Sequence, residues 1–266
     1  MIKSIRLFVN NNDESIALGK VVRESFLKNG FKYDDNNYDL GIAIGGDGSF
    51  LRMVKATSFD SNPYYVGINS GTLGFLQEVK KDEIDKLINE IIEEKYKIEE
   101  IGIQETIIKY DDNEDKFYSL NEIIIRDELL KALRANVYIE NDLLETFIGD
   151  GILIASSQGS TAHNLSYGGS IVYNGFSTLQ ITPLGPINSK AYQTLANSVI
   201  IPSNMKISVK PQNYNNIMAT IDGNNLIYHN VDSVDTYIKD KKIKCLRFSH
   251  YNFPQKINEK LLSSKN

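Results

Sequence analysis

Three glycines surround one aspartate in Gly45-Gly46-Asp47-Gly48, directly after the apolar run at 39–44. A glycine-rich turn from strand to helix lets backbone N–H groups approach an anion closely, and α/β proteins bind phosphate this way. A carboxylate repels phosphate, so Asp47 weakens such a site unless it has another task. Proton transfer is the task that fits: an aspartate near a hydroxyl accepts its proton while the oxygen attacks phosphorus. Gly45, Gly46 and Gly48 would then form the loop for the phosphate donor. Spacing alone also allows a plainer reading, an ordinary glycine turn with Asp as a helix cap. The loop is neither a Walker A sequence nor a dinucleotide G-x-G-x-x-G.

A second glycine-rich segment, "GINSGTLGFL" at 67–76, follows the next apolar run. If both runs are adjacent parallel strands, the two loops line one crevice. Phe75 could offer its ring to a base there, although by residue type alone it reads as a core phenylalanine.

The elements that must position these loops are legible in the pattern of apolar residues. Residues 3–9, 39–44 and 64–68 read as strands, and 14–28 and 49–59 as helices, the first stopped by Asn29-Gly30. Ile84, Leu87, Ile88, Ile91 and Ile92 recur at helical spacing. Alternation of this kind predicts an α/β domain with a parallel sheet over residues 1–98. From 99 to 244 short strands and turn residues predominate, with "DDNED", "ENDLL" and "IDGNN" as turn signals, which predicts a β-rich, sandwich-like second domain. The tail at 245–266 reads as a short helix or a frayed end. The acids at 111–115 read as a solvated hairpin tip.

Composition narrows the class. The 266 residues are 41% hydrophobic and 24% charged, a globular balance, and the net charge of −5 argues against a nucleic-acid partner. The one cysteine, Cys245, cannot make an internal disulfide, and no Cys/His cluster has zinc spacing. The N-terminus reads as a first strand and not as a signal peptide, and no apolar run nears the roughly 20 residues that cross a bilayer. A cytoplasmic protein with no membrane partner is expected.

Taken in order, "GGDGSFLR" (45–52), "NSGTLGFL" (69–76), Asn121-Glu122, "GDG" (149–151), "GSTAHNLSYGG" (159–169) and "IDG" (221–223) resemble the NAD kinase family across most of the chain. That family phosphorylates the 2′-hydroxyl of the adenosine ribose of NAD to give NADP. The resemblance implies that Asp47, beside Gly48, is the catalytic base. It places Arg52 near the diphosphate, Phe75 on the adenine, and Asn121 and Glu122 on the adenosine ribose. Asp150, Thr161, Ala162 and Ser166 become further nucleotide contacts, Gly185 a small residue beside NAD, and Asp222 a residue for binding at a subunit boundary. It also implies ATP or polyphosphate as donor, a divalent cation such as Mg²⁺, a homodimer or homotetramer, and a tail at 245–266 that packs back on the first domain.

The chain departs from the family pattern in "SSQGSTAH", where relatives often have Thr-Pro before the Gly-Ser-Thr-Ala run and Tyr in the place of His163; at Ile148, where many have Arg or Lys; and mildly at Ser49 for the commoner Thr. His163 near Ser160, Ser166 and Asp150 raises hydrolase chemistry, but no G-x-S-x-G elbow is present. His229 and His250 are isolated and read as structural or surface groups. Two other functions remain in view. One is a non-enzymatic NAD(P) sensor on the same fold. The other is a GGDG-type lipid kinase, which would lack Asn121-Glu122 and the Gly-Ser-Thr-Ala run.

Overall fold

The structure, a computed structural model, describes residues 1–71, 74–212, 215–249 and 251–262. Thr72 and Leu73 of the second glycine segment, His250, and residues 263–266 of the tail lie outside the described residues. The chain forms two compact units, Met1–Ile101 with Lys242–Asn266, and Gly102–Lys241.

In the first unit, Ser4–Val9 (β1), Leu40–Ile44 (β2) and Tyr64–Asn69 (β3) run parallel, with β2 paired to both of the others. Asp13–Lys28 (α1), Asp47–Ala56 (α2) and Ile84–Ile92 (α3) complete the alternation. Asn12 caps α1 by accepting the Ser15 N–H at 2.8 Å, and Gly30 follows it at φ 85°, where a side chain would be strained. Every residue of β2 is buried, as expected of a strand covered on both faces. Its larger side chains, Leu40, Ile42 and Ile44, join Val22 and Phe26 of α1 and Leu87, Ile88 and Ile91 of α3 in one core. The opposite face is small at Gly41, where a Cβ would lie 3.2 Å from the Tyr65 ring and 3.4 Å from the Met53 sulfur of α2. Besides the short strands Lys32–Tyr33 and Val79–Lys80, the sheet takes a strand from the far end of the chain, where Lys244 and Cys245 pair in parallel with Tyr64 and Tyr65.

The second unit holds two sheets. One has six strands in the order Val199–Pro202, Thr178–Leu184, Gly151–Ser156, Glu122–Asp127, Ile217–Ile221 and Asn224–Tyr228. The other contains Asp142–Gly149, Leu133–Ile139, Ile207–Pro211 and the beginning of Val231–Phe248, all antiparallel. Ile123, Ile125, Ile152 and Ile154 of the first sheet pack with Val137, Phe147, Val209 and Val234 of the second. This is the predicted sandwich-like arrangement.

Two predicted turns are two-residue hairpin loops with both central residues at positive φ, the twist such hairpins favour. They are Asp111-Asp112 (44° and 61°) and Asp222-Gly223 (44° and 81°). The acid run at 111–115 is not wholly given to solvent, because Asp115 accepts the hydroxyls of Tyr228 at 2.7 Å and Tyr110 at 3.2 Å. Among the described residues, no helix is long and apolar enough to cross a membrane.

Candidate functional site

In the first unit, both glycine loops leave the same edge of the sheet, because β2 and β3 are parallel neighbours with Ile44 opposite Ile68. The Gly45 N–H donates to Ile68 O at 3.0 Å, and Gly45 sits at φ 141°, a region open to glycine. Asp47 opens α2 and is half-buried. Its Oδ2 accepts the Phe75 N–H at 2.8 Å, and its Oδ1 accepts the Leu76 N–H at 2.9 Å. A Cβ at Gly74 would fall inside the same carboxylate, so the second loop is shaped to receive Asp47. Gln77 adds a second tie, donating from Nε2 to Gly46 O at 2.6 Å; Gly67 leaves room for its amide. A carboxylate has about four acceptor positions, so two remain for a ligand.

Arg52 is exposed on α2 and donates to Asn10 Oδ1 at 2.6 Å and Ser49 Oγ at 3.0 Å. A cavity of about 340 Å³ opens there, lined in part by Phe8, Asn10, Ser49, Arg52 and Met53. Phe75 is half-buried and lies outside the hydrophobic core, so its ring is partly available.

Lys256, in the short helix Phe253–Ile257, is buried and holds the same loop from behind. Its Nζ donates to Gln77 O at 2.8 Å and lies 3.3 Å from Glu78 Oε2 and 3.5 Å from Phe75 O. Burial pulls its pKa down, while the Glu78 carboxylate opposes that shift.

In the second unit, Asn121 and Glu122 lead into the middle of the six-stranded sheet. Asp222, in the hairpin turn, accepts the N–H groups of Leu120 at 2.8 Å, Asn121 at 2.9 Å and Glu122 at 3.2 Å. Three donors that would otherwise be unpaired at a strand entrance are thereby satisfied. Gly159 allows the turn Gln158–Thr161 to lie against the Asn121 carbonyl, where a Cβ would clash. That turn carries Thr161 and Ala162 and feeds the short helix His163–Ser166.

His163 Nδ1 lies 2.8 Å from Glu122 Oε1. Burial pushes the Glu122 carboxyl up to about 7, the imidazole hydrogen bond opposes the shift, and the Asp222 carboxylate adds to it. Asp150 is exposed, and its carboxylate packs against the α-carbon of Gly185, which sits at φ 50°. Ser166 is exposed at the end of its helix.

Within the first unit the structure thus gathers Gly45, Gly46, Asp47, Gly48, Arg52 and Phe75 around two loops. Within the second it gathers Asn121, Glu122, Thr161, Ala162 and Asp222, with Asp150 beside Gly185. Gly74, Gln77, Gly159 and Lys256 were not singled out from sequence. The first three lie in or beside the quoted motifs, so their positions carried a signal; Lys256 had none, because its contact spans some 180 residues of chain. Ile148 is 7% exposed, so the position expected to lack a cation is part of the core. His163 addresses Glu122, whereas Ser160 Oγ accepts the Val172 N–H at 3.1 Å; no Ser-His pair forms among the described residues. His229 is a surface group 3.5 Å from Glu128.

Among the described residues, no cluster of three or more His, Cys, Asp or Glu could hold a metal ion. Magnesium is usually held by one or two carboxylates together with substrate phosphates, and the half-buried Asp47 with acceptor positions to spare fits that mode.

Comparison with known proteins bears on this arrangement. The family model for the ATP-NAD kinase N-terminal domain matches residues 8–96, and that for the ATP-NAD kinase C-terminal domain matches residues 120–242. The NAD kinase of Finegoldia magna is 40% identical over 258 residues, covering 92% of this chain and 93% of that one. NAD kinase 1 of Halalkalibacterium halodurans is 30% identical over 254 residues, covering 94% and 96%. Among solved structures, yeast NADH kinase complexed with NADH superposes with a TM-score of 0.80 at 20% identity, covering all of this chain and 89% of that one. An NAD kinase from Archaeoglobus fulgidus in complex with ATP gives 0.75 at 17% identity, covering 97% and 99%. These two likenesses concern the fold.

Proposed function

Because this chain belongs to the NAD kinase family, we propose that it transfers the terminal phosphate of ATP to the 2′-hydroxyl of the adenosine ribose of NAD, with Asp47 as general base. The observation that carries the role of Asp47 is its carboxylate, fixed by the N–H groups of Phe75 and Leu76 beside three glycines. Those donors orient the acid, so that it meets a hydroxyl with little reorganisation. As proton acceptor it makes the ribose oxygen a nucleophile toward the terminal phosphorus, and a contribution of roughly 10²–10⁴ is typical of such a base.

Gly45, Gly46 and Gly48 offer backbone donors to the phosphates, and Arg52 a cation near the diphosphate. A bound Mg²⁺ supplies neutralisation of phosphate charge. Asn121 and Glu122 hold the ribose, Phe75 packs on the adenine, and Asp150, Thr161, Ala162, Ser166 and Gly185 line the dinucleotide. In this reading residues 1–98 carry the phosphoryl loop and residues 99–244 grip NAD, while the protein works in the cytoplasm as a homodimer or homotetramer in which Asp222 serves a subunit boundary. Polyphosphate as donor is the variant to set against ATP.

Purified protein given NAD, ATP and Mg²⁺ is expected to yield NADP. Asp47→Asn is expected to lose turnover by at least about 10²-fold while NAD still binds by calorimetry. NAD binding without NADP formation by the wild type would instead favour the sensor.

A further inference from the structure

We propose that His163 is a positioning residue for the dinucleotide: it holds one oxygen of Glu122, keeps a proton on the pair, and so presents the second oxygen to a sugar hydroxyl. The inference rests on the reading of Asn121-Glu122 as the ribose grip. Its starting point is an incomplete set of hydrogen bonds. Glu122 is 2% exposed, Oε1 faces His163 Nδ1 at 2.8 Å, and Oε2 is buried with no hydrogen-bond partner among the described residues. A buried carboxylate oxygen left unpaired is costly, and a ligand hydroxyl would satisfy it.

The imidazole is held in place from beneath. The next residue, Asn164, is fully buried; its Nδ2 donates to Gln180 Oε1 at 2.6 Å, and its Oδ1 accepts the Thr182 hydroxyl at 2.6 Å. His163 therefore sits on a turn pinned to the sheet, while its ring remains 56% exposed and can exchange protons with water. The titratable groups acting on Glu122 are His163 from the short helix and Asp222 from the Asp222-Gly223 turn. Asp222 is engaged with the backbone of residues 120–122 and contributes only like charge. Of these groups His163 is the one that can offset the Glu122 charge, when its imidazole carries a proton. A phenol at this position would not carry positive charge at neutral pH.

The proton balance sets the sign. With its proton, the pair is at least neutral. Burial holds the Glu122 carboxyl up at about 7, so as pH rises past neutrality the pair loses its proton and a buried anion remains beside Asp222. That state disfavours an anionic dinucleotide, so binding takes up a proton and the affinity falls as pH rises.

The test is calorimetry of NAD binding without ATP, in buffers of different ionisation enthalpy, with KM for NAD followed from about pH 6 to about 8. NAD has no group of its own that titrates there, so any proton uptake belongs to the protein. Proton uptake is expected on binding, with KM rising at least about threefold over that range. Both effects are expected to disappear in Glu122→Gln and to move to higher pH in His163→Gln, which removes the group that opposes the rise of the Glu122 carboxyl. A wild type that binds NAD without proton uptake and shows a flat KM overturns the proposal, as does an unchanged pH dependence in His163→Gln. Wild-type data alone decide the matter if a variant misfolds. Failure of NAD to bind at all would instead remove the kinase reading, and this proposal with it.

Discussion

The conflict posed by a carboxylate in a phosphate loop is resolved at Asp47 by backbone geometry, since the N–H groups of Phe75 and Leu76 face its two oxygens. Gly74 makes that approach possible and gives a direct test. Gly74→Ala is expected to displace the acid and lower kcat by at least about 10²-fold, while the melting temperature changes little, as read by steady-state assay and thermal denaturation. Glu122 gives a stability test. Its carboxyl is raised in the fold, so the stabilisation it contributes is present below the ordinary carboxylate range and is lost as pH climbs toward about 7. Glu122→Gln should therefore gain stability relative to wild type, on the order of 1–2 kcal/mol, between about pH 5 and 8 in denaturant titrations. Cys245 is fully buried and its thiol is pushed up to about 12, chiefly by burial. It should resist a thiol-specific reagent in the native protein and react once the chain is unfolded.

Among the elements, α1, α2, β2 and β3 were readable because their apolar periods agree with their burial, and Asn29-Gly30 marked a helix end by chemistry. The glycine loops were readable as neighbours at one end of the sheet, but not the contact between them. That contact joins Asp47 to backbone donors 28 and 29 residues away, and backbone groups carry no sequence signature. The same limit hid Lys256, one of several cations in a polar tail. It fastens the carbonyls of Gln77 and Phe75 on the segment that orients Asp47. Lys256→Met should lower kcat more than it raises KM, with Lys256→Arg recovering part of the loss. Asp222→Asn should act through the strand entrance. The amide keeps one oxygen for Asn121 and Glu122 and turns an NH₂ toward the Leu120 N–H, and leaving that donor without an acceptor is expected to cost roughly 1–3 kcal/mol of stability by denaturant titration and to weaken NAD binding measured alongside it.

For the whole molecule, a net charge of −5 opposes a dinucleotide and a triphosphate that are both anionic. Affinity must then come from local donors and not from the long-range field, so kcat/KM for NAD at fixed Mg²⁺ should hold or rise as salt increases from about 20 to about 200 mM. A falling value would mean that a positive field steers the substrate. The sheet of the first unit also has a feature that concerns synthesis. Lys244 and Cys245 pair with Tyr64 and Tyr65, so the strand that completes this sheet leaves the ribosome almost last. While translation proceeds, β3 presents an open edge that invites wrong partners. A nascent chain stalled before residue 242 should thus depend on chaperones to remain dispersed, and a stop codon just upstream of it would leave the first unit without this strand although Gly102–Lys241 is synthesised almost whole.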